Sequence, residues 1–287
     1  MTEEKTNSSN GPGSNWQFIP QLKKIPKLNN PIIIEGMPGI GNVGKIAADF
    51  IIDQIKAKKL YDVFSYDLPN SVFINEKNLI EMPVIEVYYK KYNGQSTKSK
   101  KTKPKRDVLI LTGDLQPTDG KSCYEFCDAV LDLLEKHGGT DVVTLGGIGL
   151  TQAPKKPQIY CTGNNKEIVK SYQKVTKIND NIFGVVGPII GVSGLLLGLA
   201  QRRGIPGVCL LAETLGHPAY LGVKGARELI RVLDKKLKLG IKMKNLDREI
   251  TELEKELTGD LQELSNVTKG SLKKIRQRLV KETNYIG

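Results

Sequence analysis

The chain has 287 residues, 39% of them hydrophobic, and carries a formal net charge of +12. No apolar run approaches the roughly 18 residues of a membrane-spanning helix, and the polar N-terminal segment does not resemble a signal peptide, so we expect a soluble cytoplasmic protein that contacts no membrane. The positive charge is concentrated in residues 90–106 and 265–287, and the remainder is close to neutral, which makes a broad nucleic-acid-binding face unexpected.

Predicted strands and helices alternate along the chain. β-branched apolar runs predict strands at residues 32–35, 72–75, 84–89, 107–112, 142–145, 158–162, 182–186 and 208–212. Amphipathic stretches predict helices at residues 43–58, 119–137, 166–174 and 192–202. Short apolar strands separated by helices predict an α/β fold with three αβα layers and a mostly parallel mixed sheet. The closely spaced strands between residues 72 and 112 predict an antiparallel insertion.

Beyond Gly222 the sequence changes to a long charged helix. Apolar residues then follow a 4-3-4-3-4 spacing at Leu239, Met243, Leu246, Ile250, Leu253 and Leu257. Such a seam packs against a partner helix, either by folding back on its own domain or between subunits.

We therefore divide the chain into four parts. Residues 1–19 are a polar segment that we expect to be disordered. Residues 20–238 are the αβα domain, with a basic hairpin loop at about residues 90–106. Residues 239–266 form a helical extension, and residues 267–287 form a basic C-terminal tail.

The cysteines do not indicate a metal site. Cys123, Cys127, Cys161 and Cys209 form no Cys-x-x-Cys pair and have no neighbouring histidines in the sequence. Zinc sites need such sets, so we expect no metal. We interpret the thiols as reduced core residues, which is typical of a cytosolic chain.

The glycine-rich string EGMPGIGNVG lies between a predicted strand and a predicted helix. Its residues Gly39, Gly41 and Gly44 satisfy the G-x-G-x-x-G pattern of dinucleotide-binding folds. The acidic residue that such folds place about 20 positions later would be Asp62 or Asp67, but that region looks like an insertion rather than a second crossover strand. A dinucleotide site is therefore not favoured, and we expect no cofactor.

The chain has two histidines, so acid–base catalysis has few candidates. His137 ends a predicted helix, where a positive charge would complement the helix dipole. His217 follows the end of a predicted strand, a position where α/β folds bind ligands, and Glu213 or Asp114 could approach it. A loop histidine held by a carboxylate is equally well structural, so we expect no catalytic residue and no enzyme.

Five strings, in this order, resemble the archaeal proteasome assembly chaperone family. They are residues 35–44 (EGMPGIGNVG), 111–117 (LTGDLQP), 145–149 (LGGIG), 191–195 (GVSGL) and 212–218 (AETLGHP). The resemblance implies a three-layer αβα fold similar to nucleoside phosphorylases and no known catalytic activity. It also implies self-association and binding to proteasome core subunits.

We expect these strings to meet in one groove at an edge of the sheet, because glycines let strands turn sharply there. The candidate groove residues are Gly36, Met37, Pro38, Gly39, Gly41, Asn42, Gly44, Gly113, Asp114, Gln116, Pro117, Glu213, His217 and Pro218. In particular, Gly41 and His217 should lie at the same edge.

The resemblance further implies docking through a C-terminal hydrophobic-tyrosine-any motif, whose carboxylate meets a lysine between proteasome α-subunits. This chain ends in Tyr285, Ile286 and Gly287, so its tyrosine stands third from the end rather than second. We predict that these three residues bind the partner, the alternative being a frayed terminus.

The sequence therefore predicts a non-enzymatic proteasome assembly chaperone or core-particle-binding adaptor that forms homo-oligomers. Its partners would be proteasome core-particle subunits, and nucleic acid is not expected. One alternative is a nucleoside- or nucleotide-binding enzyme that uses the glycine-rich groove. A weaker alternative is RNA binding through the basic loop and tail.

Overall fold

A computed structural model of the chain describes residues 15–75, 77–92, 106–175, 178–179, 182, 184, 187–218, 220–244, 248 and 250. Most of the basic loop, the helical extension after Ile250 and the predicted docking residues Tyr285, Ile286 and Gly287 lie outside the described residues.

Within the described residues, strands and helices alternate much as the sequence predicts. The strands are β1 (Gln17–Pro20), β2 (Ile32–Gly36), β3 (Lys58–Phe64), β4 (Phe73–Ile74), β5 (Ile80–Glu81), β6 (Ile85–Lys90), β7 (Val108–Gly113), β8 (Asp141–Leu150), β9 (Ile159–Gly163) and β10 (Gly207–Leu215). The helices are α1 (Val43–Gln54), α2 (Gly120–Lys136), α3 (Lys166–Gln173), α4 (Val192–Arg202) and α5 (Val223–Leu237).

The central sheet is mixed and has the strand order β1-β3-β6-β7-β2-β8-β10-β9. Strands β7, β2, β8 and β10 are parallel neighbours. β6, β3 and β1 add antiparallel pairs on one side, and β9 adds one on the other. The pair β4–β5 forms a separate two-stranded sheet. This arrangement confirms the predicted mixed α/β sheet and its antiparallel insertion.

Helices cover both faces of the sheet. α1 and α5 pack on one face, where Ile32 and Ile34 of β2 point, and α2 and α4 pack on the other, where Ile33 points. All three isoleucines are buried, which explains why β2 is a continuous apolar run rather than an alternating one. The three αβα layers predicted from the sequence are confirmed.

Two features at the start of the domain differ from the predictions. β1 begins within the segment 1–19 that the sequence assigns to disorder, and Trp16 packs on Phe126 of α2 with ring centroids 4.6 Å apart. The first helix ends at Gln54 instead of residue 58, because Lys56 adopts a left-handed φ of 51° and β3 begins directly afterwards.

The later part of the domain also departs from the predictions. Ile182 and Gly184, the described positions of the predicted strand 182–186, are not in a strand. Leu239 and Ile250 of the helical seam are buried in the same core as α5. At its described positions Leu239, Met243 and Ile250, the seam therefore packs on its own domain.

Candidate functional site

The glycine-rich turn between β2 and α1 is built on close backbone contacts. Gly41 adopts a left-handed φ of 61°, and a Cβ there would lie 2.6 Å from the Thr214 hydroxyl oxygen. A Cβ on Gly44 would lie 2.3 Å from the carbonyl oxygen of Leu145 on β8. These two glycines let the turn press against neighbouring strands, so their spacing is explained by packing without a bound pyrophosphate.

The adjoining loops meet this turn at the carboxyl ends of the parallel strands. Gln116, in the loop after β7, donates from Nε2 to the Pro38 carbonyl oxygen at 2.8 Å and accepts from the Val192 amide at 3.0 Å. The Gly222 amide donates to the Gly41 carbonyl oxygen at 2.8 Å, which joins the loop after β10 to the same turn. Gln116 therefore holds together the turn, the loop after β7 and the start of α4.

The two carboxylates considered beside His217 have other hydrogen-bond partners. Asp114 accepts from the Val84 amide through Oδ2 at 2.9 Å. Glu213 accepts from the Gln158 amide at 2.9 Å and from the Tyr160 hydroxyl at 3.2 Å. These bonds give both carboxylates a role in joining segments of the sheet, while His217 lies exposed in the loop after β10.

A mainly apolar cavity of about 620 Å³ opens among these loops. It is lined by Met37, Pro38, Gly39, Ile40, Gly44, Gln116, Leu145, Gly146, Gly147, Ile148, Gly149, Gly187, Pro188, Ile189, Ile190, Ser193 and Leu211. Of the predicted groove residues, the lining includes Met37, Pro38, Gly39, Gly44 and Gln116. The predicted residues outside the lining are Gly36, Asn42, Gly41, Gly113, Asp114, Pro117, Glu213, His217 and Pro218.

Glu35, which the sequence predictions missed as a site residue, is fully buried near this cavity. Its Oε1 accepts from the Met37 amide at 2.9 Å, and the Ser193 side chain and the Leu145 backbone also face its carboxyl group. Burial raises the pKa of Glu35 to about 7, against smaller opposing effects of the Met37 amide, the Ser193 hydroxyl and the Leu145 amide.

The position of Glu35 follows from the sheet. The parallel pairing of β2 with β8 ends at Glu35 and Thr144, one residue before β2 itself ends at Gly36. Met37, Leu145 and Ser193, which surround the Glu35 carboxyl group, also line the cavity. The buried carboxyl group thus lies at the carboxyl end of a parallel strand, a position at which open α/β sheets bind ligands.

His137 makes a hydrogen bond within the fold. Its Nε2 lies 3.0 Å from the Tyr61 hydroxyl oxygen, at the C-terminal end of α2. Burial, with a smaller contribution from Lys136, lowers the pKa of His137, so the neutral ring is favoured. The expected positive charge at this helix end is therefore not supported.

Other groups in the described part of the chain give no sign of a second chemical site. All four cysteines are buried and free. In the described residues no three His, Cys, Asp or Glu side chains are arranged to hold a metal ion. None of the helices described here is both long and apolar enough to cross a membrane.

The fold and the glycine-rich turn are those of a known protein family. Residues 33–259 match the model of the PAC2 family, and the chain belongs to that family. Among curated relatives, a protein of Methanocaldococcus jannaschii named as uncharacterised is 29% identical over 250 residues, which cover 87% of each chain.

Two solved structures are similar over most of their length. Pyrococcus furiosus PbaB, an archaeal proteasome activator, is 30% identical with a TM-score of 0.74, covering 86% of this chain and 98% of that one. Pyrococcus furiosus PbaA, an archaeal homolog of proteasome-assembly chaperone, is 26% identical with a TM-score of 0.62, covering 81% of this chain and 92% of that one. The resemblance to archaeal proteasome assembly chaperones is confirmed, whereas the likeness to nucleoside phosphorylases stays a prediction.

Proposed function

We propose that this chain is a non-enzymatic, cytoplasmic chaperone or adaptor that binds proteasome core particles or their precursors. The observation that carries this proposal is the similarity to PbaB, which extends over 86% of the chain at 30% identity.

Docking through the C-terminal tail deepens this proposal. Tyr285 and Ile286 would enter an apolar pocket between α-subunits of the core particle, and the Gly287 carboxylate would meet a cation there. The basic residues between Lys269 and Lys281 would add a salt-dependent attraction without supplying specificity. Because the chain is proposed to form homo-oligomers, several tethered tails would act together.

Surface plasmon resonance on an immobilised archaeal core particle tests this function. Deletion of residues 285–287 should weaken binding at least about tenfold, or roughly 1.4 kcal/mol. The matched control is Asn284→Ala, which changes the adjacent polar residue and should bind like the wild type. Circular dichroism and size-exclusion chromatography should show unchanged folding and self-association in both variants.

The outcomes separate the two parts of the proposal. Unchanged affinity after the deletion would place the docking surface on the folded domain instead of the tail. A wild-type chain that fails to bind core particles at any salt concentration would contradict the proposed function itself.

A second candidate function is the binding of a nucleoside-sized molecule, and the cavity of about 620 Å³ next to Glu35 favours it. Thermal unfolding with nucleosides and inorganic phosphate tests it. A stabilisation that is lost in Gly39→Phe, where a side chain meets open space at the cavity, would support the candidate. No stabilisation by any of these compounds would contradict it.

A further inference from the structure

The cavity extends the line of β2 past the end of that strand. β2 lies between β7 and β8 in the sheet, and its pairing with β8 ends at Glu35 and Thr144. β8 continues to Leu150, and its residues 145–149 line the cavity together with Gln116, which follows β7. We call the space between residues 145–149 and Gln116 the slot. Because neighbouring strands lie about 4.8 Å apart and β2 separates β7 from β8, the slot has the width of one strand.

One edge of β8 faces the slot. Alternate residues of a strand with parallel neighbours on both sides direct their backbone groups to opposite neighbours. The Leu150 carbonyl oxygen accepts from the Gly216 amide at 2.8 Å, on the side of β10. The Leu145 backbone faces the Glu35 carboxyl group, on the side of β2. Between these positions, even-numbered residues therefore direct their amides and carbonyls to β10, whereas odd-numbered residues direct theirs to the slot.

Gly147 and Gly149 are the odd-numbered residues of β8 that lie beyond the end of β2. Within the part of the chain that the structure describes, their amides and carbonyls have no partner strand on the slot side. On the other side, β8 stays paired with β10 as far as Leu150. The two glycines lie about 6.6 Å apart, so they offer hydrogen-bonding groups at the spacing of a neighbouring strand.

Both faces of the slot are apolar. Ile40 covers one face, since a Cβ on Gly147 would lie 2.3 Å from the Ile40 carbonyl oxygen. Leu211 covers the other face, since a Cβ on Gly146 would lie 2.9 Å from the Leu211 Cδ2 atom. Ile190, which is 86% exposed, lies at the rim. An occupant of the slot would therefore meet apolar side chains on both of its faces.

The lining of the slot carries no charge among the described residues. Its polar side chains are those of Gln116 and Ser193, and Gln116 already bonds to Pro38 and Val192. Burial of a charged group without a partner is costly, so a charged occupant is disfavoured. The slot is suited to an uncharged occupant.

These features fit an extended peptide. A strand added to an open edge gains main-chain hydrogen bonds, while its alternate side chains enter pockets on the two faces. The slot supplies backbone groups at Gly147 and Gly149 and apolar walls at Ile40 and Leu211. The edge from residue 145 to residue 149 is about 13 Å long, which suits a segment of about four residues.

We propose that the slot binds a short extended peptide segment with uncharged, apolar side chains, which adds to β8 as a neighbouring strand. The inference goes beyond the proposed function, because it gives the folded domain a peptide-binding site that does not involve the C-terminal tail. It also names an occupant of the cavity that differs from a nucleoside. Gly147 and Gly149 supply the main-chain hydrogen bonds, and Ile40 and Leu211 supply the apolar contacts.

Hydrogen exchange on the full wild-type chain tests the backbone contacts directly. NMR spectra of protein with isotopically labelled glycine report the exchange rate of each glycine amide. The probe is the capped peptide acetyl-Ala-Val-Ala-Val-amide. At saturating peptide, the Gly147 and Gly149 amides should exchange at least about tenfold more slowly than in the free chain. The Gly146 amide, which faces β10, is the internal control and should exchange at an unchanged rate.

A modified peptide separates main-chain bonding from simple apolar burial. The same peptide with every backbone amide N-methylated keeps its apolar side chains but loses its hydrogen-bond donors. In isothermal titration calorimetry it should bind at least about tenfold more weakly than the unmodified peptide. Equal affinity of the two peptides would overturn the inference.

A pair of glycine substitutions tests the location of the site. Gly146→Val places a side chain in the slot, where its Cβ meets only the end of the Leu211 side chain, and should weaken peptide binding at least about tenfold. The matched control is Gly198→Val on the exposed side of α4, whose Cβ meets open space and which should bind like the wild type. Circular dichroism checks the folding of both variants. If Gly146→Val does not fold, the exchange rates of the wild type decide the inference.

The outcomes separate this inference from the proposed function. No binding of the unmodified peptide at concentrations up to about 5 mM would overturn the inference. Protection of the Gly147 and Gly149 amides by nucleosides but not by the peptide would also overturn it. A Gly146→Val chain that loses peptide binding and still binds core particles would support the inference and leave the proposed function standing. A wild-type chain that binds the peptide but not core particles would support the inference and contradict the proposed function.

Discussion

Replacing Glu35 with glutamine should change how the stability of this protein depends on pH. The pKa of the Glu35 carboxyl group is raised from 4.5 to about 7 in the folded chain, chiefly by burial. The folded state therefore holds a proton that the unfolded state releases at lower pH. The stabilising effect of this proton is complete below about pH 4.5 and is lost as the pH rises through about 7.

The magnitude follows from the two pKa values. The interval from 4.5 to about 7 corresponds to about 3 kcal/mol of unfolding free energy lost between acid and neutral pH. The Glu35→Gln variant stays uncharged throughout and keeps an oxygen that can accept from the Met37 amide. It should match the wild type near pH 4.5 and exceed its stability by about 3 kcal/mol at pH 8.

Urea unfolding of both chains between pH 4.5 and 8.5, at one protein concentration, measures this difference. Subtracting the two curves removes titrations common to both proteins. Among the neighbouring groups, the Cys209 thiol has its pKa raised to about 12 by burial and does not titrate in this range. A difference between the two proteins that is constant from pH 4.5 to 8 would refute the reasoning, because the carboxyl group would then not change its charge there.

Two further substitutions test the packing of the domain. In urea unfolding, Gly44→Ala should lower the free energy of unfolding by at least about 2 kcal/mol, because the new Cβ would lie 2.3 Å from the Leu145 carbonyl oxygen. In Gly39→Ala the new Cβ meets open space, so the free energy of unfolding should stay within about 0.5 kcal/mol of the wild type. Equal effects of the two changes would show that the turn does not depend on this contact. Because burial lowers the pKa of His137, the wild type should lose stability as the pH falls below about 6.5, and His137→Gln should lack that part of the loss in thermal unfolding. If the melting temperatures of the two proteins fall equally steeply as the pH drops below about 6.5, this prediction is contradicted.

Strong local patterns in the sequence predicted most of the fold. The helix predicted at residues 192–202 coincides with α4, because a regular apolar period follows directly after Gly191. The strand predicted at residues 32–35 is β2, whose isoleucines are buried on both faces. β3 was not predicted, and only its first residue, Lys58, fell within the preceding helix prediction. Its strand conformation depends on pairing with β1 and β6, and these contacts are distant in sequence.

The site was predicted less completely than the fold. The glycine string predicted a groove at the turn, where Gly41 and Gly44 serve close packing and only part of the predicted groove lines the cavity. Glu35 escaped notice because a single glutamate beside an apolar run does not reveal that it is fully buried at the end of its strand.

The short loop after β7 has a consequence for how this edge of the molecule responds to binding. Asp114 ties it to Val84, the residue just before β6, and Gln116, two residues later, ties it to the wall of the cavity. An occupant of the cavity that displaced Gln116 would therefore strain the same short loop that holds Val84. Linkage is reciprocal, so a change at Val84 that shifted this loop would alter the affinity of the cavity by the same factor.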